Sequence, residues 1–152
     1  MKKRIMSCFM ALALCLTLLP AAALAANVEH TAADHDTSKF TKLWVDTDKG
    51  NKLMKGDTPW ITSDINVWGN SNPEKGYALT TGTYYLGSNL DFAKCTTEYA
   101  IMIVGDVTLC LNGHEIKNST SGNECVIAVY ANDASTLTLT DCVGGGEITG
   151  GK

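Results

Sequence analysis

One pattern in the second half of the chain constrains its fold more than any other. Ile101, Val107-Thr108-Leu109 and Glu115-Ile116 return as Ile127, Leu137-Thr138-Leu139 and Glu147-Ile148, at offsets of 26, 30 and 32 residues. The offset drifts because the turns between the runs differ in length. Each run is short, rich in β-formers and bounded by Gly, Asn or Asp, and no segment has the 3.6-residue period of an amphipathic helix. Three short strands per repeat, without a helix, are what one coil of a parallel β-helix requires. Alternate residues (Ile101, Ile103, Val107, Leu109, Leu111, then Ile127, Val129, Leu137, Leu139) then line a narrow core, and the next coil stacks ~4.8 Å away. The competing all-β arrangement is an antiparallel sandwich in which the recurrence is coincidental.

The chain divides by texture. Residues 77–152 carry the repeat. Residues 26–76 are polar and irregular, with Pro59, Pro73, the Gly69-Asn70-Ser71-Asn72 cluster and tryptophans at 44, 60 and 68. They are expected to form a flexible start over 26–39 and a loop-rich N-terminal cap over 40–76, with Lys42–Val45 and Ile65–Trp68 as edge-strand candidates. Residues 1–25 have the form of a signal peptide. Lys2, Lys3 and Arg4 are followed by an uncharged apolar run over 5–19, Pro20 and the small-x-small site Ala23-Leu24-Ala25. The run is short of the ~20 residues that span a membrane. Removing the leader takes three of the 12 cations, leaving nine lysines, no arginine and 16 acidic residues, a net charge of −7. That balance argues against nucleic acid and anionic membrane surfaces as partners.

Thr81-Gly82-Thr83-Tyr84-Tyr85-Leu86, Val107-Thr108-Leu109-Cys110-Leu111-Asn112-Gly113-His114-Glu115-Ile116, Thr136-Leu137-Thr138-Leu139-Thr140-Asp141-Cys142 and Gly146-Glu147-Ile148-Thr149-Gly150-Gly151 resemble the opening coils of large, secreted, adhesin-like surface proteins of Gram-positive gut bacteria. The resemblance implies a right-handed parallel β-helix similar to that of pectate lyases. Such proteins continue through further coils and wall-anchoring repeats, so this chain reads as an incomplete solenoid that stops mid-coil at Lys152, with an unfinished edge open to self-association.

Export places Cys95, Cys110, Cys125 and Cys142 in an oxidising compartment, as one or two disulfides or as buried free thiols. Cys95–Cys125, 30 residues apart, suits stacked coils; Cys110–Cys142, 32 apart, is offset by two residues and needs a bulge. Spacings of 15, 15 and 17 contain no C-x-x-C pair, which argues against zinc. Asp46, Asp48 and Asp57 fit parts of a calcium loop, but Gly50-Asn51 reverses the order its middle requires, so a solvated turn is expected. Glu29-His30 and Asp34-His35-Asp36 read as a polar tail with at most weak metal affinity. Trp44, Trp60, Trp68, Tyr84 and Tyr85 are candidates for stacking on sugar rings, or for packing a cap over the first coil.

Enzymatic chemistry on this fold needs a basic residue beside a uronate, or close aspartates with Gly-His-Gly and Arg-x-Lys motifs. Residues 26–152 contain none of these motifs, and His114 lies in a turn. No catalytic residue and no cofactor are therefore expected. The expectation is a secreted or cell-surface, non-enzymatic protein contacting carbohydrate or a host surface. The alternatives are the first part of a polysaccharide lyase or glycoside hydrolase, or a purely structural solenoid cap. Cleavage after Ala25 is the testable consequence: N-terminal sequencing of the secreted protein is expected to begin at Ala26, and a start at Met1 would remove the export argument.

Overall fold

The computed structural model describes residues 30–65, 74–92, 99–118, 125–130 and 135–150. The expected leader, Trp68 and Cys95 lie outside them. The described chain is all-β, with a single short 3₁₀ helix (Ala32–Asp36) preceding eleven strands. Four strands belong to the first half: β1 (Phe40–Asp46), β2 (Lys52–Lys55), β3 (Thr58–Pro59) and β4 (Ser63–Ile65). The remainder fall into three tiers: β5 (Glu74–Leu86) with β6 (Leu90–Asp91); β7 (Tyr99–Cys110) with β8 (Glu115–Asn118); and β9 (Cys125–Val129), β10 (Thr136–Thr140) and β11 (Glu147–Gly150).

Every pairing between successive tiers is parallel, which excludes an antiparallel sandwich for this region. The register sets Tyr77, Ile101 and Ile127 in one column, Tyr84, Leu109 and Leu139 in another, and Leu90, Ile116 and Ile148 in a third. The pairs Ile101–Ile127, Val107–Leu137, Leu109–Leu139 and Ile116–Ile148 are those that the sequence alignment sets opposite one another. Antiparallel pairs occur where β1 meets β2, β2 meets β3 and β4 meets β5, so the larger, eight-stranded sheet is mixed, while β6, β8 and β11 form a separate three-stranded parallel sheet.

Two features depart from the expectation. The runs Ile101–Val104 and Val107–Cys110 form one bent strand. The ladder to β5 skips at Thr81, where Gly105 adopts φ +91°. A side chain at Gly105 would collide with the Thr81 hydroxyl, so the bend requires glycine there. The second concerns the region expected to be loop-rich, where the edge-strand candidate Lys42–Val45 falls within β1. β1 pairs in parallel with β5, Leu43 opposite Leu86, and extends the stack by one strand beneath the first tier.

The core follows the alternation. Leu79, Leu86, Leu90, Ile101, Ile103, Leu109 and Ile116 have no exposed surface. They form one cluster with Trp60, Phe92 and Leu111, against which Ile127 and Leu137 pack. The third tier is less covered: Val129 and Leu139 are each 46% exposed and Ile148 36%.

Polar side chains in the turns bond backbone N–H groups one tier on. Thr81 Oγ1 accepts from Asp106 N (3.2 Å), Asn89 Oδ1 from Glu115 N (3.0 Å), and Ser135 Oγ accepts from Gly105 N (2.8 Å) one tier below. Asp141 accepts from Gly113 N at 2.7 Å and Gly146 N at 2.6 Å. Burial disfavours its charge, but these bonds, joined by those from Gly144 and Val143, outweigh that effect and hold its pKa below 3.8. Because the folded pKa is depressed, this stabilisation is present above about pH 3.8 and is lost as the pH falls through the folded value.

Columns of like residues are felt most where they are covered on both sides. Leu109→Ala is expected to cost about 3 kcal/mol. Leu139→Ala, on the half-exposed tier, is expected to cost less than about 1 kcal/mol. Urea denaturation of the two variants checks the ordering.

Candidate functional site

The sequence-predicted residues are dispersed. Asp46 is buried. Its Oδ1 accepts the N–H groups of Asp48 (3.1 Å) and Lys49 (3.2 Å), and its Oδ2 pairs with Lys49 Nζ at 3.2 Å. Although burial opposes its charge, the bonds from Lys49 and Asp48 win and lower its pKa. Both carboxylate oxygens thus cap the turn after β1, while Asp48 and Asp57 face solvent from different turns.

Nor do the aromatics form a shared platform. Trp60 and Tyr84 are core residues: the Trp60 indole donates to Ala78 O (3.2 Å), and the Tyr84 hydroxyl donates to Thr80 O (2.9 Å). Trp44 donates to Gly56 O (2.9 Å) and lies under the Lys42 ammonium, 5.0 Å from its ring centre. Tyr85 stacks on His35 with ring centres 4.3 Å apart.

Two features remain. The first is an open cleft of ≈ 1070 Å³ between the turns of the first half and the β5–β6 and β7–β8 turns. Trp60, Tyr77 and Phe92 lie at its apolar side, with Trp60 edge-on to Tyr77 at 5.2 Å. Asn51, Asn89 and His114 are among its polar lining residues. His114 Nδ1 is 3.3 Å from Asn89 Oδ1, which orients the imidazole beside the cleft.

The second feature lies on the other face of the large sheet. Tyr85 sits opposite Cys110 in the ladder, and by alternation both point away from the Leu109 core. The segment expected to be a flexible start covers this face. Its 3₁₀ helix is fixed by Asp34, whose Oδ2 accepts from Thr31 N (2.6 Å) and Thr31 Oγ1 (3.0 Å); these bonds lower the Asp34 pKa. The helix buries His35, 6% exposed, against Tyr85. His30 packs on His35 and Phe40 with ring centres 5.2 and 5.1 Å apart. Cys142 follows the Asp141 turn and returns over Cys110, so the two sulfurs lie 3.4 Å apart without a bulge in the ladder.

The result is a group of four donors, His30, His35, Cys110 and Cys142, whose ligand atoms all lie within 4.8 Å of one another. His35 Nε2 is 3.7 Å from Cys142 Sγ, and the Cys142 thiol also donates to Asn112 Oδ1 at 3.7 Å. Burial, then the proximity of His30, lowers the His35 pKa and favours its neutral form. Burial, then the Cys110 thiol, pushes Cys142 up to about 11. Cys125 is exposed, opposite Tyr99 in the ladder. The sequence shows the histidines and the cysteines but not their meeting, since His35 and Cys142 are 107 residues apart.

Comparison with protein-family models, curated proteins and solved structures finds no match to this chain.

The cysteine environments predict an order of reactivity. A pKa raised from 9.0 to about 11 at Cys142 leaves roughly 100-fold less thiolate at neutral pH than an unshifted thiol. Higher intrinsic nucleophilicity recovers part of this, for a net slowing of roughly 10-fold. In the reduced, metal-free protein, alkylation followed by peptide mass spectrometry is expected to label the exposed Cys125 ahead of Cys142 by about 10-fold or more.

Proposed function

We propose that the chain is part of a secreted or cell-surface right-handed parallel β-helix protein that makes non-enzymatic contact with carbohydrate. The observation that carries the reading is the set of in-register parallel columns, of which Leu90–Ile116–Ile148 is the clearest. Parallel strands recurring in fixed order, with hydrophobic residues stacked on their equivalents, suit a solenoid whose turns form its functional surface. The half-exposed Leu139 and Ile148, on strands at sheet edges, support association of a second copy with that end.

The cleft supports carbohydrate as the ligand class. Apolar surface at the partly exposed Tyr77 and the exposed Ile61 suits the apolar face of a sugar ring, and Asn51, Ser88, Asn89 and Asp91 offer hydrogen-bonding groups of the kind that read hydroxyls. The single carboxylate, Asp91, is offset by the ammonium of Lys52 in the same lining, which suits a ligand without net charge.

The test is a glycan array of neutral and acidic oligosaccharides probed with the chain and with an Asn89→Ala, Asp91→Ala variant. Binding to neutral glycans is expected, weakened roughly tenfold or more in the variant, as loss of one or two hydrogen bonds implies. Incubation with pectin or other uronate polymers is expected to release neither unsaturated products nor new reducing ends. Product release would favour the enzymatic alternative, and absence of glycan binding would overturn the carbohydrate reading.

A further inference from the structure

The cluster of His30, His35, Cys110 and Cys142 has no part in the carbohydrate reading. We propose that these four side chains form a structural Zn²⁺ site that fastens the segment before β1 to the second and third tiers.

With Zn–S near 2.3 Å and Zn–N near 2.0–2.1 Å, a tetrahedral site separates two sulfurs by about 3.8 Å and a sulfur from a nitrogen by about 3.5 Å. The Cys110 and Cys142 sulfurs are 3.4 Å apart, and His35 Nε2 is 3.7 Å from Cys142 Sγ. All four donor atoms lie within 4.8 Å of one another. Shifts of a few tenths of an ångström for the sulfurs, within the reach of rotamer adjustment, bring the set to ideal spacing.

An independent observation points the same way. His30 Nε2 is buried and has no hydrogen-bond partner. A buried nitrogen left without a partner is unfavourable unless something else occupies its lone pair. With a ring nitrogen of His30 within 4.8 Å of two thiols and a second imidazole, a cation bound there satisfies the ring.

The donor chemistry selects the ion. Two sulfurs and two imidazole nitrogens in a four-coordinate arrangement suit Zn²⁺ and exclude Ca²⁺ and Mg²⁺, which take oxygen ligands. On binding, each thiol releases its proton to solvent, and the two thiolates balance the charge of the ion. The Cys142 thiol gives up its bond to Asn112 in exchange for the metal. Both imidazoles are held in place before the metal arrives, His35 by stacking on Tyr85 and His30 by Phe40. The ligands come from the 3₁₀ segment, the end of β7 and the turn after β10, so one ion closes a connection that spans most of the described chain. Since the unfolded chain holds no such array, binding stabilises the fold by linkage.

The rival chemistry is a Cys110–Cys142 disulfide, and one experiment separates the two. The full chain, reduced and stripped with chelator, is titrated with Zn²⁺ and in parallel with Co²⁺. One equivalent is expected to bind, with a rise in Tm and, for Co²⁺, the visible bands of a tetrahedral thiolate complex. Cys110→Ser and Cys142→Ser are expected to abolish both responses. His30→Phe keeps the ring packing on Phe40. It is expected to retain the metal-free Tm while losing at least tenfold in Zn²⁺ affinity. The proposal is overturned if no metal binds, if a Cys110–Cys142 disulfide persists in the protein as secreted with no bound zinc, or if binding survives unchanged in His30→Phe and His35→Ala.

Discussion

The structure depends on parallel pairing between strands one tier apart, because that pairing stacks each core residue on its equivalent. Ile116 is sealed since Leu90 lies on one side of it and Ile148 on the other. The same holds for Leu109 between Tyr84 and Leu139. Burial in such a stack depends on neighbours above and below more than on residues near in sequence, so the first tier, with β1 paired to β5, and the second, between its neighbours, are enclosed. Ile101, Ile103 and Leu109 have no exposure, whereas Val129 and Leu139 on the third tier are half open. Each fully buried aliphatic side chain contributes about 1.5–3 kcal/mol, and the columns place these contributions on β5, β7 and β8.

Parallel stacking leaves a polar problem at the corners, where the chain leaves the ladder and its N–H groups lose strand partners. Side chains one tier away solve it. Asn89 caps Glu115, Thr81 caps Asp106, Asp141 caps Gly113, and Ser135 reaches back to Gly105. Asn112 works from the donor side, giving its amide to Leu86 O at 2.9 Å. These partners are 25 to 30 residues apart, so the corners carry a polar ladder parallel to the apolar one. Residues that would serve only as turn formers in an isolated hairpin thus also act between tiers.

Where the sequence repeats, its periodicity was enough to set the register. Leu137-Thr138-Leu139 and Val107-Thr108-Leu109 share their alternating pattern and are each followed by a Glu-Ile pair, so matching the two runs gives the pairing found in the ladder. Lys42–Val45 was legible as a strand, but its parallel pairing with β5 was hidden because β1 is a single strand, followed by an antiparallel hairpin, with no full repeat around it to align. The continuous β7 was hidden for a different reason. Gly105-Asp106 reads as a turn, and whether such a pair ends a strand or only bends it depends on the partner strand, here at Thr81. The aromatic candidates were misleading because composition gives their number and not their side of the sheet: Trp60 and Tyr84 face the core, while Tyr85, adjacent to Tyr84, faces the opposite way.

The cysteine–histidine cluster shows what a sequence motif means in this architecture. Metal and catalytic motifs are usually sought as short local spacings, because helices and hairpins bring near neighbours together. In a stack of parallel tiers, the residues that meet are one tier apart. Cys110 and Cys142 are separated by 32 residues, the same offset as Ile116 and Ile148. Absence of a C-x-x-C pair therefore carries little weight here, since the tier spacing does the work of the local one. The histidines reach the site through Tyr85, the partner of Cys110 in the first tier, whose ring is the surface on which His35 lies. Geometry that begins as hydrophobic stacking on one face of the sheet thus becomes, on the other face, a means of bringing distant donor atoms to a common point.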